Sequence, residues 1–277
     1  MTCPRSPTRP WPLLVLLATL TTGCGTSLAT LQPAETMAPG HVHVSGALAV
    51  NVPASRVVEA VDVANDIANR YADPGYKPST EDQRRMLGAA VGLALSSPGV
   101  NPDLMLRVGI LRNLDAGLRW SGLAAHLDAK YRFLGGEEPN DFQGAVSVGV
   151  SKALYSGLVF DVLEKLDIDD YSRWNVEVPV IFGKRLGDVG HVWFGPKYVL
   201  SRYSVDASLQ NVGVVPTTSG TFHHLAGFVG AGVGYKHVFL FGELTIAKMW
   251  AKPEIFGEKV DLGGIVVVPA VGLMIRI

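Results

Sequence analysis

Charged residues of both signs lie between apolar residues in the stretch "DLMLRVGILRNLDAGLRW", residues 103–120. On either side of Arg112 every second residue is apolar, over 104–110 and 114–120, and the residues between them include Arg107, Asp115 and Arg119. On a β-strand these two sets face opposite sides. Acidic and basic groups gathered on one face could form a structural ion-pair cluster, or they could line a path for an ion or a ligand.

The register of this hairpin decides which charges meet. If Ile110 and Leu114 share a face, they pair directly and leave a three-residue loop that ends at Asn113. Such a loop needs a residue in the left-handed region of backbone space, which Asn tolerates well. The pairing then places Arg107 opposite Gly117 on the polar face.

The next segment, "SGLAAHLDAKYRFL" (121–134), extends the same polar face. Opposed residues are ~5 Å apart at Cβ and diagonal ones ~7–8 Å, so charges from three strands come within reach of one another. We favour a structural cluster over a ligand or ion path, with both signs present because an unpaired buried charge is costly. Its predicted members are Arg107, Asp115, Arg119, His126, Asp128, Lys130 and Arg132, and Glu177, Lys197 and Glu243 share their inward phase on later strands.

Several other residues could do chemistry but lack partners. His41 and His43 have a spacing that could bind a metal, yet no third ligand is evident. His223 and His224 follow a long loop that contains serine and aspartate, which a hydrolase could use with them. The glycine run 227–235 has no helix after it, so it does not fit a nucleotide loop. We predict no metal, no cofactor and no catalytic residue.

Alternation with a period of two predicts the strands that position these residues. Residues 54–100 interrupt it with helical spacing: Val57, Val61 and Ala64 step by four and three, and Thr80 and Gln83 have capping-box spacing for a second helix. The predicted strands cover 41–52, 103–111, 114–121, 124–134, 142–153, 173–184, 190–203, 221–235, 238–249 and 264–277.

The connections between these strands follow a pattern. The links after strands 1, 5, 7 and 9 are long, and those after strands 2, 4, 6 and 8 are short. Several strands have the ~9–11 residues that cross a bilayer at a tilt, and aromatic residues such as Trp120, Trp174 and Trp250 lie near strand ends. Short turns on one side and long loops on the other predict that both termini lie on the short-turn side, in the periplasm.

These hairpins, the aromatic-edged ladder and a last strand that alternates to Ile277 resemble the small outer-membrane β-barrel proteins of Gram-negative bacteria. The resemblance covers roughly residues 41–53 and 103–277 and carries no enzyme motif. It implies a closed barrel in the outer membrane that is inserted by the barrel insertion machinery. In such proteins the last residue is usually aromatic, and here it is Ile277.

The N-terminus has the features of an export signal. Arg5 and Arg9 precede the apolar run 13–20, and small residues precede Cys24. The segment resembles a bacterial lipoprotein signal, which implies acylation of Cys24, although Thr21 stands where that pattern usually has Leu. The alternative is an ordinary signal peptide cleaved nearby. We predict a signal peptide over 1–23, a flexible tether over 24–40 and a barrel domain over 41–277.

Composition narrows the function classes further. The chain has 277 residues and a formal net charge of −1, which gives no basic field for nucleic acid. The fold class is therefore predicted as all-β: a closed antiparallel transmembrane-type barrel of about ten strands with a two-helix insertion after the first. We expect a structural, ligand-contacting or narrow-conduit role, with outer-membrane lipid, lipopolysaccharide or an apolar ligand as partners. The alternatives are a lipid-anchored periplasmic lipocalin-like barrel that binds an apolar ligand, and an outer-membrane lipid hydrolase.

Overall fold

The computed structural model describes most of the chain beyond residue 26. The described residues are 27–55, 79, 81–82, 85, 88, 98–122, 124–136, 141–153, 166–209, 213–214, 218–252, 254–255 and 258–277.

Ten long strands make up almost all of the described structure. They are β1 Val42–Pro53, β2 Gly99–Leu111, β3 Leu114–Ser121, β4 Ala124–Leu134, β5 Phe142–Ala153, β6 Leu166–Leu186, β7 Gly190–Leu209, β9 Thr218–Tyr235, β10 Val238–Ala251 and β13 Gly264–Arg276. Three two-residue strands lie in the links: β8 Gly213–Val214, β11 Glu254–Ile255 and β12 Glu258–Lys259.

The ten long strands close into an antiparallel barrel. Each pairs with its neighbour in the order β6-β5-β4-β3-β2-β1-β13-β10-β9-β7, and β6 also pairs with β7, which completes the ring. The first and last strands pair from His43 with Arg276 to Pro53 with Val266. The predicted closed barrel of about ten antiparallel strands is therefore confirmed, and no long strand is left with an open edge.

The β2–β3 turn differs from the prediction. Leu111 pairs with Leu114, which leaves the two-residue turn Arg112–Asn113, and a bulge lies between Gly109 and Leu111. The bulge absorbs the extra residue that the prediction had placed in the loop, so the predicted register still holds from Gly109 back to Asp103. Asn113 is not among the residues with positive φ.

Side chains alternate between the inside and the outside of the barrel along the long strands, with interruptions such as the register shifts in β2 and β4. The outward positions carry large apolar residues that are well exposed, such as Leu104 at 64 %, Leu118 at 53 % and Val233 at 65 %. The inward positions carry most of the buried polar and charged residues. This arrangement is the reverse of a soluble barrel and is the pattern of a barrel surrounded by lipid.

The links sort by length between the two ends of the barrel. One end, the short-turn end, has the links 112–113, 135–141, 187–189 and 236–237, together with the start of β1 and the C-terminus. The other end, the long-link end, has the links 54–98, 154–165, 210–217 and 252–263 and the short link 122–123.

Residues 27–38, which we call the lumen segment, run through the inside of the barrel. Ser27, Ala29 and Leu31 are each at most 2 % exposed. The prediction of a flexible tether is wrong for this part of the chain, because its backbone is bound by charged side chains of the barrel wall. Its two ends lie at opposite ends of the barrel: Ser27 N donates to Ser121 Oγ at the long-link end, and Met37 N donates to Asp115 Oδ2 near the β2–β3 turn.

The predicted helices over 54–100 lie largely outside the described residues, so the two-helix insertion stays a prediction. Glu81, Asp82, Arg85 and Gly88 are described with helical backbone. Asp82 N donates to Ser79 Oγ, and Ser79 N donates to the Asp82 carboxylate, which is a reciprocal cap one residue earlier than predicted. Among the described residues, no helix is long and apolar enough to cross a membrane.

Candidate functional site

Arg107 on β2 forms the centre of the buried charges. Its Nη2 donates to Asp115 Oδ1 at 2.5 Å, and its Nη1 donates to Asp128 Oδ2 at 2.9 Å. The guanidinium thus joins carboxylates from β3 and β4, and all three side chains are at most 3 % exposed. Gly117 lies opposite Arg107, and a Cβ there would lie 2.6 Å from Arg107 Nη1. The absence of a side chain at this position leaves room for the ion pairs.

Asp115 also binds the lumen segment near the short-turn end. Its Oδ2 accepts a hydrogen bond from Met37 N at 3.1 Å and lies 3.5 Å from Lys130 Nζ. Lys130 in turn donates to the backbone carbonyls of Pro33 and Glu35 at 3.1 and 2.7 Å. The cluster therefore binds the backbone of the lumen segment as well as its own members.

A second group of charges surrounds Glu177 on β6. Lys197 Nζ lies 2.6 Å from Glu177 Oε2, and Arg119 Nη2 lies 3.5 Å from Oε1. Arg119 donates to the carbonyl of Ala29 at 2.7 Å, and Lys197 donates to that of Leu28 at 3.1 Å. Both cations therefore bridge a wall carboxylate and the lumen segment.

Glu243 on β10 binds the middle of the lumen segment. Its two carboxylate oxygens accept the consecutive backbone N–H groups of Thr30 and Leu31 at 2.5 and 2.8 Å. Leu31 has left-handed backbone with φ of 57°. Trp193 Nε1 donates to the same carboxylate at 2.9 Å, and a Cβ at Gly230 would overlap its indole ring. The glycine run that looked like a nucleotide loop therefore includes a position that gives Trp193 its space.

Glu35 is the one charged residue of the lumen segment. Its Oε2 accepts a hydrogen bond from Arg276 Nη1 at 2.5 Å, and its carboxylate lies 3.7 Å from Arg185 and 3.9 Å from His191. These three partners come from β13, β6 and β7 near the short-turn end. Charged wall residues therefore bind both the half of the lumen segment near the long-link end and the half near the short-turn end.

The seven predicted cluster residues all face the inside, but they do not form one group. Arg107, Asp115, Asp128 and Lys130 are joined as described, and His126 lies 3.7 Å from Asp128 and 3.6 Å from Glu177. Arg132 is separate: it donates to Asn113 Oδ1 and to the carbonyl of Gly136 at the short-turn end. Sequence reasoning missed the lumen segment and its contacts, because backbone carbonyls and N–H groups have no signature in the residue pattern.

A small pocket lies between the lumen segment and the wall. The pocket lined by Thr30, Gln32, Arg119, His126 and Lys197 holds about one water molecule. An apolar ligand of the kind that a lipocalin-like barrel binds does not fit in this pocket, whose lining includes Arg119, His126 and Lys197.

The residues considered for a hydrolase do not converge. His223 faces outward, where Tyr198 Oη lies 2.6 Å from its Nδ1, whereas His224 faces inward and packs edge-on against Phe222. Ser219 pairs with Ser204 in register on the adjacent strand. Because the two histidines lie on opposite faces of β9, they cannot act together at one centre.

The two histidines considered for a metal site are also separated. His41 is exposed ahead of β1, and His43 is buried inside. In the described part of the chain, no group of three or more His, Cys, Asp or Glu residues could hold a metal ion.

Aromatic residues lie on the outer surface at both ends, in a cluster near the short turns and beside lysines at the long-link end. Phe182 stacks on Phe142 and meets Phe133 edge-on near the short turns. At the long-link end Lys152 lies 5.0 Å from the Trp174 ring centroid, and Lys248 lies 5.3 Å from that of Trp250. Rings and long cationic side chains at this height are typical of the boundary between lipid and water.

Comparison with known proteins adds fold-level likenesses at low identity. Neisserial surface protein A (NspA) is 13 % identical over 86 % of this chain and 95 % of its own, with a TM-score of 0.33. Ail, the attachment invasion locus protein of Yersinia pestis, is 13 % identical over 86 % of this chain and 99 % of its own, with a TM-score of 0.31. No family model matches the sequence, and no curated protein matches it. The barrel described above follows from the strand pairing of this chain itself.

Proposed function

We propose that this protein is an exported, integral outer-membrane β-barrel whose lumen is closed by its own N-terminal segment. It serves as a membrane-embedded platform that presents its long links on one side, and it does not conduct solutes. The observation that supports this most strongly is the lumen segment, which lies inside the barrel with its backbone held by Arg119, Lys130, Lys197 and Glu243.

The proposed location is supported by the outward surface. Large apolar side chains cover it along every long strand, whereas the charges face the lumen. At 25 cal/mol per Å² an apolar belt of this kind is unfavourable in water and favourable in a bilayer. We therefore propose outer-membrane lipid as the permanent contact of this surface and the barrel insertion machinery as the partner during assembly.

The cationic residues at the long-link end support a second contact. Lys152, Arg202 and Lys248 are exposed on the outer face, beside Trp174 and Trp250. Ammonium and guanidinium groups at this height can bind phosphate groups of lipopolysaccharide. Acylation of Cys24, supported by the small residues before it, would add a second attachment to the membrane.

The closed lumen can be tested by conductance. The full chain is refolded in detergent, its folding is verified by a different gel migration before and after boiling, and it is inserted into planar bilayers. We expect no steady conductance above background, because wall charges on β3, β4, β7 and β10 bind the backbone of the lumen segment inside the barrel. A stable open channel formed by the folded protein would contradict the platform role and favour the narrow conduit.

A further inference from the structure

The lumen segment runs in one direction through the barrel, and its contacts establish that direction. Ser27 N donates to Ser121 Oγ, and Ser121 is the last residue of β3 at the long-link end. Met37 N donates to Asp115, which lies near the β2–β3 turn at the other end. The chain therefore enters the lumen at the long-link end and leaves it at the short-turn end.

The contacts between these two ends follow the same order. Leu28 and Ala29 meet Lys197 and Arg119, and Pro33 and Glu35 then meet Lys130. At the end of the path Pro39 pairs with Gly109, and β1 begins at Val42. From residue 27 to residue 38 an extended chain spans up to about 36–40 Å, which is enough to cross a bilayer core of ~30 Å.

Cys24 precedes Ser27 by three residues. Three residues span at most about 11 Å, far less than the length of the lumen. The covalent chain therefore keeps Cys24 close to the end at which Ser27 lies, and Cys24 cannot reach the short-turn end where β1 begins and β13 ends.

We propose that the N-terminus emerges from the barrel on the long-link side, which is the outer face of the cell, and that a lipid on Cys24 is held in the outer leaflet. This inference rests on the proposed outer-membrane function, with short turns in the periplasm. It replaces the expectation that both termini lie in the periplasm. The lipid and the C-terminus would then lie on opposite sides of the same membrane.

Protease access to intact cells tests this inference. A recognition site for a sequence-specific protease is inserted between Thr26 and Ser27, and the cells are grown with a labelled fatty acid. We expect protease added outside the cells to remove the label from the barrel while the barrel itself stays full-length within the resolution of a gel. The Cys24→Ser variant should carry no label and should still fold, as judged by its migration before boiling.

A matched variant carries the same protease site in the link 135–141 at the short-turn end. This site should be cut only after the outer membrane has been permeabilised. Cleavage at the N-terminal site that also requires permeabilisation would overturn the inference. So would cleavage of both sites, or of the link site alone, in intact cells.

The two proposals fail in distinguishable ways. If the barrel proposal is wrong, the unmodified chain is recovered without membrane and its migration does not change on boiling. If only the inference is wrong, the chain remains a folded membrane protein and the N-terminal site is protected. If the chain that carries the inserted site is unlabelled and mass spectrometry shows that the site is cut from outside, the lipid part alone is overturned.

Discussion

At the level of single residues, the inside of this barrel uses ion pairs where a soluble protein uses apolar packing. Each buried charge needs a partner, because several kcal/mol of lost hydration must be offset by a charge or a hydrogen bond. Arg107 meets this need with two carboxylates, and Lys130 meets it with one carboxylate and two backbone carbonyls. The wall and the lumen segment therefore stabilise each other.

Replacing Asp115 by Asn should destabilise the fold strongly. The change removes the negative charge that faces both Arg107 and Lys130 and leaves those cations short of a partner. We expect a loss of about 3–5 kcal/mol, as measured for broken buried pairs. Reversible unfolding in lipid vesicles with increasing urea, followed by tryptophan fluorescence, measures it.

The Asp188→Asn variant provides the matched control. Asp188 pairs with Arg185 in an exposed turn, with 65 % of its side chain accessible. Exposed pairs contribute about 0–1 kcal/mol, so this variant should unfold almost as the wild type does. Equal losses in the two variants would show that the buried cluster does not have the role given to it here.

Sequence reasoning worked at this scale where partners lie on paired strands. Arg119 lies opposite His126 and Asp115 opposite Lys130, as the alternation predicted. It did not find Glu35 or the contacts of Glu243, because those partners belong to a segment without periodicity. Their pairing depends on the path of the chain in space. Glu35 and Arg276, for example, are 241 residues apart in the sequence.

At the level of elements, strand alternation determines which face of each strand meets lipid. All ten predicted strands are present, although β6 and β7 extend beyond the predicted bounds at the long-link end. The bulge in β2 is a local feature that the apolar pattern could not indicate, since either a bulge or a longer loop satisfies the same register. The residues at which the strands begin and end are thus less predictable than the side of the barrel that each side chain faces.

Leu106→Arg should impair insertion of the barrel into lipid. Leu106 faces outward near the middle of β2, is 43 % exposed and pairs with Leu118. A cation at the bilayer midplane costs about 2–4 kcal/mol. Folding yield in vesicles, scored by gel migration without boiling, should fall accordingly.

Leu111→Arg is the control on the same strand. Leu111 is the last residue of β2 and is exposed beside the turn, at the height where the cost of a charge is about 0–1 kcal/mol. Its folding yield should stay close to that of the wild type. If Leu111→Arg were the more harmful of the two, the assignment of the lipid-facing height would be wrong.

At the level of the whole molecule, the lumen segment takes the place of a central core. The wall that faces it carries more positive than negative charge among the described residues. The cations are Arg107, Arg119, Lys130, Arg132, Arg173, Arg185, Lys197 and Arg276, and the carboxylates are Asp103, Asp115, Asp128, Glu177 and Glu243. The backbone carbonyls of the lumen segment and the Glu35 carboxylate offset this excess.

Glu35→Gln should loosen the half of the lumen segment that lies nearer the short-turn end. The carboxylate that faces Arg276, Arg185 and His191 is lost. The contacts of the other half of the segment with Glu243 and Lys197 remain. We expect brief channel openings in planar bilayers whose reversal potential favours anions, because the exposed wall is positive. The control variant, Glu254→Gln in the β11–β12 hairpin, should give no channel openings. Openings of the Glu35→Gln variant that favour cations would contradict a positively charged wall.

The position of the lumen segment also constrains the order of assembly. A closed ring of ten hydrogen-bonded strands surrounds a chain that continues at both of its ends. The segment directly precedes β1, and β1 closes the ring against β13, which follows the other nine long strands in the sequence. If the seam between β1 and β13 is the last to form, the N-terminal residues can lie in the open trough before it closes, and no threading through a finished pore is needed. Once the seam has formed, withdrawing the segment would require breaking its buried ion pairs or reopening the ring, so the protein is held shut kinetically as well as by its contacts.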